Sequence, residues 1–322
     1  MKVDEDNPDG FQWDCRFLDK QLMSLHVKTW YRNADKIDIG LGAALAQHLA
    51  GKGANVVINY TSDNSTAAAK TLATDIESKH GVQTVLAQCD ITTPDGPGQL
   101  VEIAKSTFTK DGKFQIDILI NNAGVVNPAP MGSVTYEEFD KTFQLNARAP
   151  LFVIQAAMPY LPKDRSGRIV NVSSITTSMG FWWQSCYAGT KGALEAMVRM
   201  DHDESIPANR TSQLQTRVWA RELAEQATVN SINPGAMMTG MYTGLPQEML
   251  EKVWSLNYMA PLAKPREGID SPEIVEAAKG LGGRPAYLEE VSGIVSLLCS
   301  PESGWITGQV IGANGGGVMT KG

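Results

Sequence analysis

Tyr187 and Lys191 stand four positions apart in Tyr-Ala-Gly-Thr-Lys at the start of a helical pattern, so their side chains rise from one face. A free tyrosine, with a pKa of about 10, carries protons poorly near neutrality, and a neighbouring ammonium stabilises the phenolate and lowers that value. The pair is a candidate for proton transfer at a tuned phenol. Taken alone, the spacing equally fits an ordinary amphipathic helix. Support comes from Arg168-Ile-Val-Asn-Val-Ser-Ser174, a buried-strand pattern ending in two hydroxyls, with Ser174 thirteen positions before Tyr187. A hydroxyl at the C-terminal end of a strand lies where open parallel sheets bind their ligands.

The elements that must position these groups are legible from Gly53 onward, where short runs rich in Val and Ile alternate with longer amphipathic segments. Strands are expected at Asn55 to Tyr60, Thr84 to Cys89, Ile116 to Asn121, Arg168 to Ser173, Thr228 to Asn233 and Gln309 to Gly312. Helices are expected at Leu41 to Lys52, Thr66 to Lys79, Gln99 to Ser106, Tyr136 to Tyr160, Tyr187 to Met200, Val218 to Gln226, Gln247 to Leu256 and Leu288 to Cys299. Several strands are apolar without alternation, as strands covered on both faces must be. The fold class is α/β: a single Rossmann-like, doubly wound parallel sheet flanked by helices, over residues 39–322. Residues 1–38 form an atypical N-terminal segment, 201–216 read as an inserted loop with Pro207 among Asp, Ser, Asn and Thr, and 237–262 as a substrate lid. Residues 24–31 offer a first strand but lack the apolar run of a central one.

Composition narrows the function. The 322 residues are 43% hydrophobic, enough for a substantial core, and the net charge of -7 provides no basic stripe for a phosphate backbone, so nucleic acid is not an expected partner. No stretch of about 18 apolar residues suggests a membrane span, and the polar, acidic first ten residues do not resemble an export signal. Cys15, Cys89, Cys186 and Cys299 are widely separated and read as reduced thiols of a cytoplasmic protein; neither they nor His26, His48, His80 and His202 have metal-ligand spacing.

With these motifs in hand, the sequence resembles the short-chain dehydrogenase/reductase family over roughly residues 40–316. The resemblance is carried by Asn121-Asn122-Ala123-Gly124 after a strand, Asn146 in the next helix, Ser174, Tyr187, Lys191, and Pro234-Gly235 followed by Thr239. It implies Tyr187 as the general acid that protonates a carbonyl oxygen, or the base in reverse, with Ser174 holding the same oxygen. It further implies that Lys191 lowers the tyrosine pKa and contacts the nicotinamide ribose, that Asn146 supports a water relay, and that relatives self-associate into homo-oligomers.

Gly40-Leu41-Gly42 opens a helical pattern where the family ends its glycine-rich turn, letting backbone and helix N-terminus approach a pyrophosphate. At the end of the second strand, where an acidic residue would hold the ribose diol of NAD, the chain has Tyr60, Thr61 and Ser62, so NADP is the expected cofactor. By the same resemblance Asp90 lies near the adenine, Asn122, Ala123 and Gly124 line the adenosine side, Pro234 and Gly235 follow, and Met237 and Thr239 sit by the carboxamide. The chain departs from the family where Asp35 and Lys36 occupy the expected Thr-Gly positions and where 201–216 intervene after the catalytic helix. Phe181, Trp182 and Trp183, with the Met-, Tyr- and Leu-rich 237–262, suggest a bulky apolar carbonyl or alcohol substrate, in the manner of fungal reductases of secondary metabolism. The expected activity is reduction of a ketone to a secondary alcohol; a cofactor-binding protein impaired in catalysis, and an alcohol-oxidising enzyme, are the alternatives.

Overall fold

A computed structural model describes residues 40–198, 218–243, 245, 248–251 and 258–319, together with the main chain of 21–26. Seven strands form one sheet: β1 (Gln21–His26), β2 (Asn55–Tyr60), β3 (Thr84–Gln88), β4 (Ile118–Asn121), β5 (Gly167–Val172), β6 (Ala227–Pro234) and β7 (Val310–Ala313). Their spatial order is β3-β2-β1-β4-β5-β6-β7, and every adjacent pair is parallel. The order reverses direction at β1, and crevices at such switch points, beyond the C-terminal strand ends, are where open parallel sheets place ligands.

Parallel strands require crossovers, and helices supply them: α1 (Leu41–Ala50), α2 (Thr66–His80), α3 (Gly96–Phe108), α4 (Tyr136–Phe143), α5 (Ala149–Ala157), α6 (Thr176–Met179), α7 (Ser185–Val198), α8 (Val218–Glu222), α9 (Gly240–Thr243), α10 (Pro272–Leu281) and α11 (Leu288–Cys299). Successive strand residues point to opposite faces, and each face has its own core. Val56 and Ile58 of β2 and Ile118 and Ile120 of β4 pack with Leu45 and Leu49 of α1, Ile76 of α2 and Val295 of α11. On the other face Val57, Leu119, Ile169 and Val229 pack with Leu100 of α3, Val153 of α5, Leu194 of α7 and Trp219 of α8. This double burial is why the strands carry apolar residues without alternation.

Three features differ from the sequence expectation. The first strand is Gln21–His26, displaced toward the N-terminus from 24–31 and placed third in the sheet, with Leu22 opposite both Val56 and Ile118. The expected helix from Tyr136 to Tyr160 is interrupted by a π-helical turn, Gln144–Arg148, between α4 and α5. Helix α10 was not anticipated, although Ser271 caps it by accepting the Ile274 N–H, Pro272 starts it and Gly282 in the left-handed region ends it. The expected insertion 201–216, Asp35 and Lys36 lie outside the described residues. Among the described residues no helix is long and apolar enough to cross a membrane.

Candidate active site

One cavity at the C-terminal edge of the sheet gathers most of the residues singled out by sequence. Its wall contains Gly40, Leu41 and Gly42 at the start of α1, Asn122, Ala123 and Gly124 after β4, and Ser174 after β5. Tyr187 and Lys191 of α7 complete one side; Pro234, Gly235, Met237 and Thr239 after β6 complete the other, with Met241, Tyr242, Leu245 and Met249 beyond them. Of the three aromatics before α7, only Phe181 belongs to this wall; Trp182 is 53% exposed.

The reacting groups are held tightly. Ser174 is buried and its side chain is hydrogen bonded to Tyr187. One helical turn on, the Lys191 ammonium lies 5.7 Å from the Tyr187 ring centroid and donates to the Val172 carbonyl at 2.7 Å. Burial drives the Lys191 pKa down to about 8, a shift that the Glu195 carboxylate on the same helix partly offsets. Tyr187 itself moves the other way from the sequence expectation. Its ring opens partly onto the cavity, yet desolvation of the phenol raises its pKa and outweighs the hydrogen bond with Ser174, which lowers it. No contribution from the Lys191 charge offsets this burial. The consequence is a phenol kept protonated at neutral pH, the form a proton donor needs.

Asn146 sits behind the wall rather than in it. Its Oδ1 accepts the Val125 N–H at 2.8 Å, and its amide donates to the Val125 carbonyl at 2.9 Å and to the Thr190 hydroxyl at 3.1 Å. Both amide hydrogens are therefore used within the protein. The residue ties the segment after β4 to α7, and the π turn is what brings it there. Sequence reading missed Glu195, which accepts from Ser173 Oγ at 2.5 Å, Thr177 Oγ1 at 3.0 Å and Asn233 Nδ2 at 3.3 Å. Its position four residues after Lys191 was the available signal.

The fit of a dinucleotide can be judged from the cradle. Helix α1 opens on Gly40 with no side-chain cap and no acidic residue in its first turn, leaving its N–H groups for an anion. A Cβ at Gly124 would stand 3.4 Å from both Asn146 Oδ1 and Lys191 Nζ, so a bare backbone keeps this wall open. Tyr60, Thr61, Ser62 and Asp90 do not line the cavity. Tyr60 is buried with its hydroxyl 3.5 Å from Gln88 Oε1, Thr61 and Ser62 are exposed just beyond β2, and Ser62 pairs with Ser65 at 3.0 Å. Asp90 accepts from Thr92 N–H at 2.9 Å and from the Thr92 hydroxyl at 2.7 Å.

Residues 37–209 match the family model described as short chain dehydrogenase. The chain belongs to this family. Short-chain dehydrogenases are oxidoreductases of CH–OH and ketone groups, and this chain is one. It is 41% identical over 303 residues to an L-xylo-3-hexulose reductase of Hypocrea jecorina, a match spanning 86% of this chain and 92% of the relative. An L-xylulose reductase of Aspergillus niger is 37% identical, over 86% of this chain and 93% of its own. Among solved structures, the angucycline C-6 ketoreductase LanV with bound NADP is 27% identical with a TM-score of 0.66, covering 93% of this chain and 96% of that one.

Proposed function

We propose that this short-chain dehydrogenase is an NADP(H)-dependent reductase that converts a ketone to a secondary alcohol. The observation that carries the reading is the hydrogen-bonded Ser174–Tyr187 pair in one cavity with Lys191 and the uncapped start of α1. The nicotinamide supplies the hydride when bound. Tyr187 gives its phenolic proton to the carbonyl oxygen, and Ser174 holds that oxygen in place. Lys191 lends positive charge to the phenolate left behind and would hold the ribose. Asn146 works by position, since its side chain has no hydrogen left to offer a water. At neutral pH the phenol holds the proton that reduction consumes.

Gly40, Leu41, Gly42, Asn122 to Gly124, Pro234, Gly235, Met237 and Thr239 would hold the dinucleotide. Beyond β2 the chain offers the Thr61 and Ser62 hydroxyls and no carboxylate at the position of Tyr60, which supports NADP over NAD. The NADP bound to LanV and the identities of 41% and 37% to two ketose reductases support the same reading. Those two relatives also favour an open-chain sugar over the bulky apolar compound suggested by Phe181, Trp182 and Trp183, only the first of which lines the cavity.

Titration with NADPH and with NADH, followed by nicotinamide fluorescence, tests the cofactor: tighter binding of NADPH is expected, and equal binding refutes the preference. Tyr187→Phe should then lower turnover by roughly 10²–10⁴-fold while leaving NADPH affinity within a few-fold. Turnover unchanged by that substitution would remove Tyr187 as the acid.

A further inference from the structure

We propose that Gln184 and Thr176 recognise hydroxyl groups carried beside the reacting carbonyl, so that the two residues select a polyhydroxylated ketone. The inference rests on the ketone-reductase reading above and adds the side chains that choose the substrate. Thr176 lies two residues after Ser174 and Gln184 three before Tyr187, and both line the same cavity as that pair. Thr176 is 5% exposed and Gln184 6% exposed. Neither Thr176 Oγ1 nor Gln184 Oε1 has a hydrogen-bond partner.

Buried polar atoms without partners are costly and uncommon in native proteins, and two of them flanking the reacting pair call for a ligand that supplies the missing bonds. A hydroxyl can donate to the amide oxygen of Gln184 and can both donate to and accept from Thr176. An unsubstituted ketone has no hydrogen to donate to Gln184, and its one oxygen is already held by Ser174 and Tyr187, so both atoms would stay unpaired. A site built this way discriminates strongly against analogues that lack the hydroxyl.

The backbone around Gln184 supports a purposeful placement. Trp183, immediately before it, has φ 61°, in the left-handed region that a bulky residue rarely occupies. The Trp183 carbonyl accepts the Ala129 N–H at 2.8 Å, and the Gln184 carbonyl accepts the Ala188 N–H at 2.7 Å to begin α7. The strained turn is thus fixed from both sides, and it delivers Gln184 to the cavity.

The test uses Gln184→Met and Thr176→Val, which keep size and remove the hydrogen-bonding group. Xylitol, the alcohol formed by reducing L-xylulose, is titrated calorimetrically into the full chain saturated with NADPH, with which the alcohol cannot react. The ratio of kcat/KM for L-xylulose to that for 2-pentanone is measured with NADPH. Xylitol affinity and the substrate ratio should each fall at least tenfold in either variant, with no loss of thermal stability, since each substitution removes an unpaired buried polar atom. Failure of the native chain to bind xylitol, or equal xylitol affinity and an equal ratio in both variants, overturns the proposal. Should the native chain bind xylitol in a Gln184-dependent manner yet reduce neither ketone, the ketone-reductase reading falls and the hydroxyl recognition stands.

Discussion

Lys191 shows at the scale of one residue how the role proposed for it in catalysis and the stability of the fold oppose each other. The residue is 3% exposed, and burial lowers its pKa from 10.5 to about 8. The unfolded chain therefore binds the Lys191 proton more tightly than the folded one between those two values. Below pH 8 both states carry the charge and the folded state bears the full penalty, worth about 3 kcal/mol. As pH rises from 8 to 10.5 that penalty is progressively relieved, so this residue makes stability increase with pH across the window. Lys191→Met removes the charge and also the bond to Val172, worth about 1 kcal/mol, so a net gain of about 2 kcal/mol is expected at neutral pH. Urea unfolding of both forms at pH 7 and pH 10 checks this: the variant should be inactive and more stable at pH 7, and the difference should shrink at pH 10. A variant less stable at pH 7 would mean that the Val172 bond and the Glu195 charge outweigh desolvation.

At the scale of elements, what the sequence disclosed depended on whether the cause was local. The strands β2, β4, β5 and β6 are buried along almost their whole length because both faces are covered, and their bounds lie within two residues of expectation. The spacing of Tyr187 and Lys191 made α7 and its reactive face equally legible. Helix α10 carried readable signals in Ser271, Pro272 and Gly282 that the periodicity alone did not bring out. The π turn Gln144–Arg148 was not legible, because the slip is sustained by contacts of Asn146 with Val125 and Thr190, distant in the chain. For the same reason the sequence could place Tyr187 but not the direction of its pKa shift, nor the unpartnered atoms of Gln184 and Thr176, which exist only as a result of packing. With Asn146 as this tie, Asn146→Ala should cost about 1–3 kcal/mol, since it leaves the part-buried Val125 groups without their partner. It should also reduce kcat more than NADPH affinity. Denaturant unfolding and steady-state kinetics measure both; a loss of activity without a loss of stability would assign Asn146 to chemistry rather than to position.

At the scale of the molecule, the architecture depends on β1. This strand is third in the seven-stranded order and joins β2 on one side to β4 on the other. The core that packs Leu45 and Leu49 of α1 also contains Ile58 of β2 and Ile120 of β4, so it spans the position that β1 fills. The match to the family model begins at residue 37, and β1 lies before it, in Gln-Leu-Met-Ser-Leu-His. The sheet thus recruits a polar-interrupted segment to a position where parallel sheets ordinarily require an apolar one. Deleting residues 1–26 should separate β3-β2 from β4-β5-β6-β7, expose a backbone edge on each half and open the crevice where the cofactor would lie. The expected result is a chain that aggregates on expression or, if kept in solution, unfolds without a single cooperative transition and does not enhance NADPH fluorescence. A deletion that unfolds cooperatively and binds NADPH as the full chain does would show that Gln21–His26 is dispensable to the sheet, and the organising centre of the fold would then have to be sought between β2 and β4 themselves.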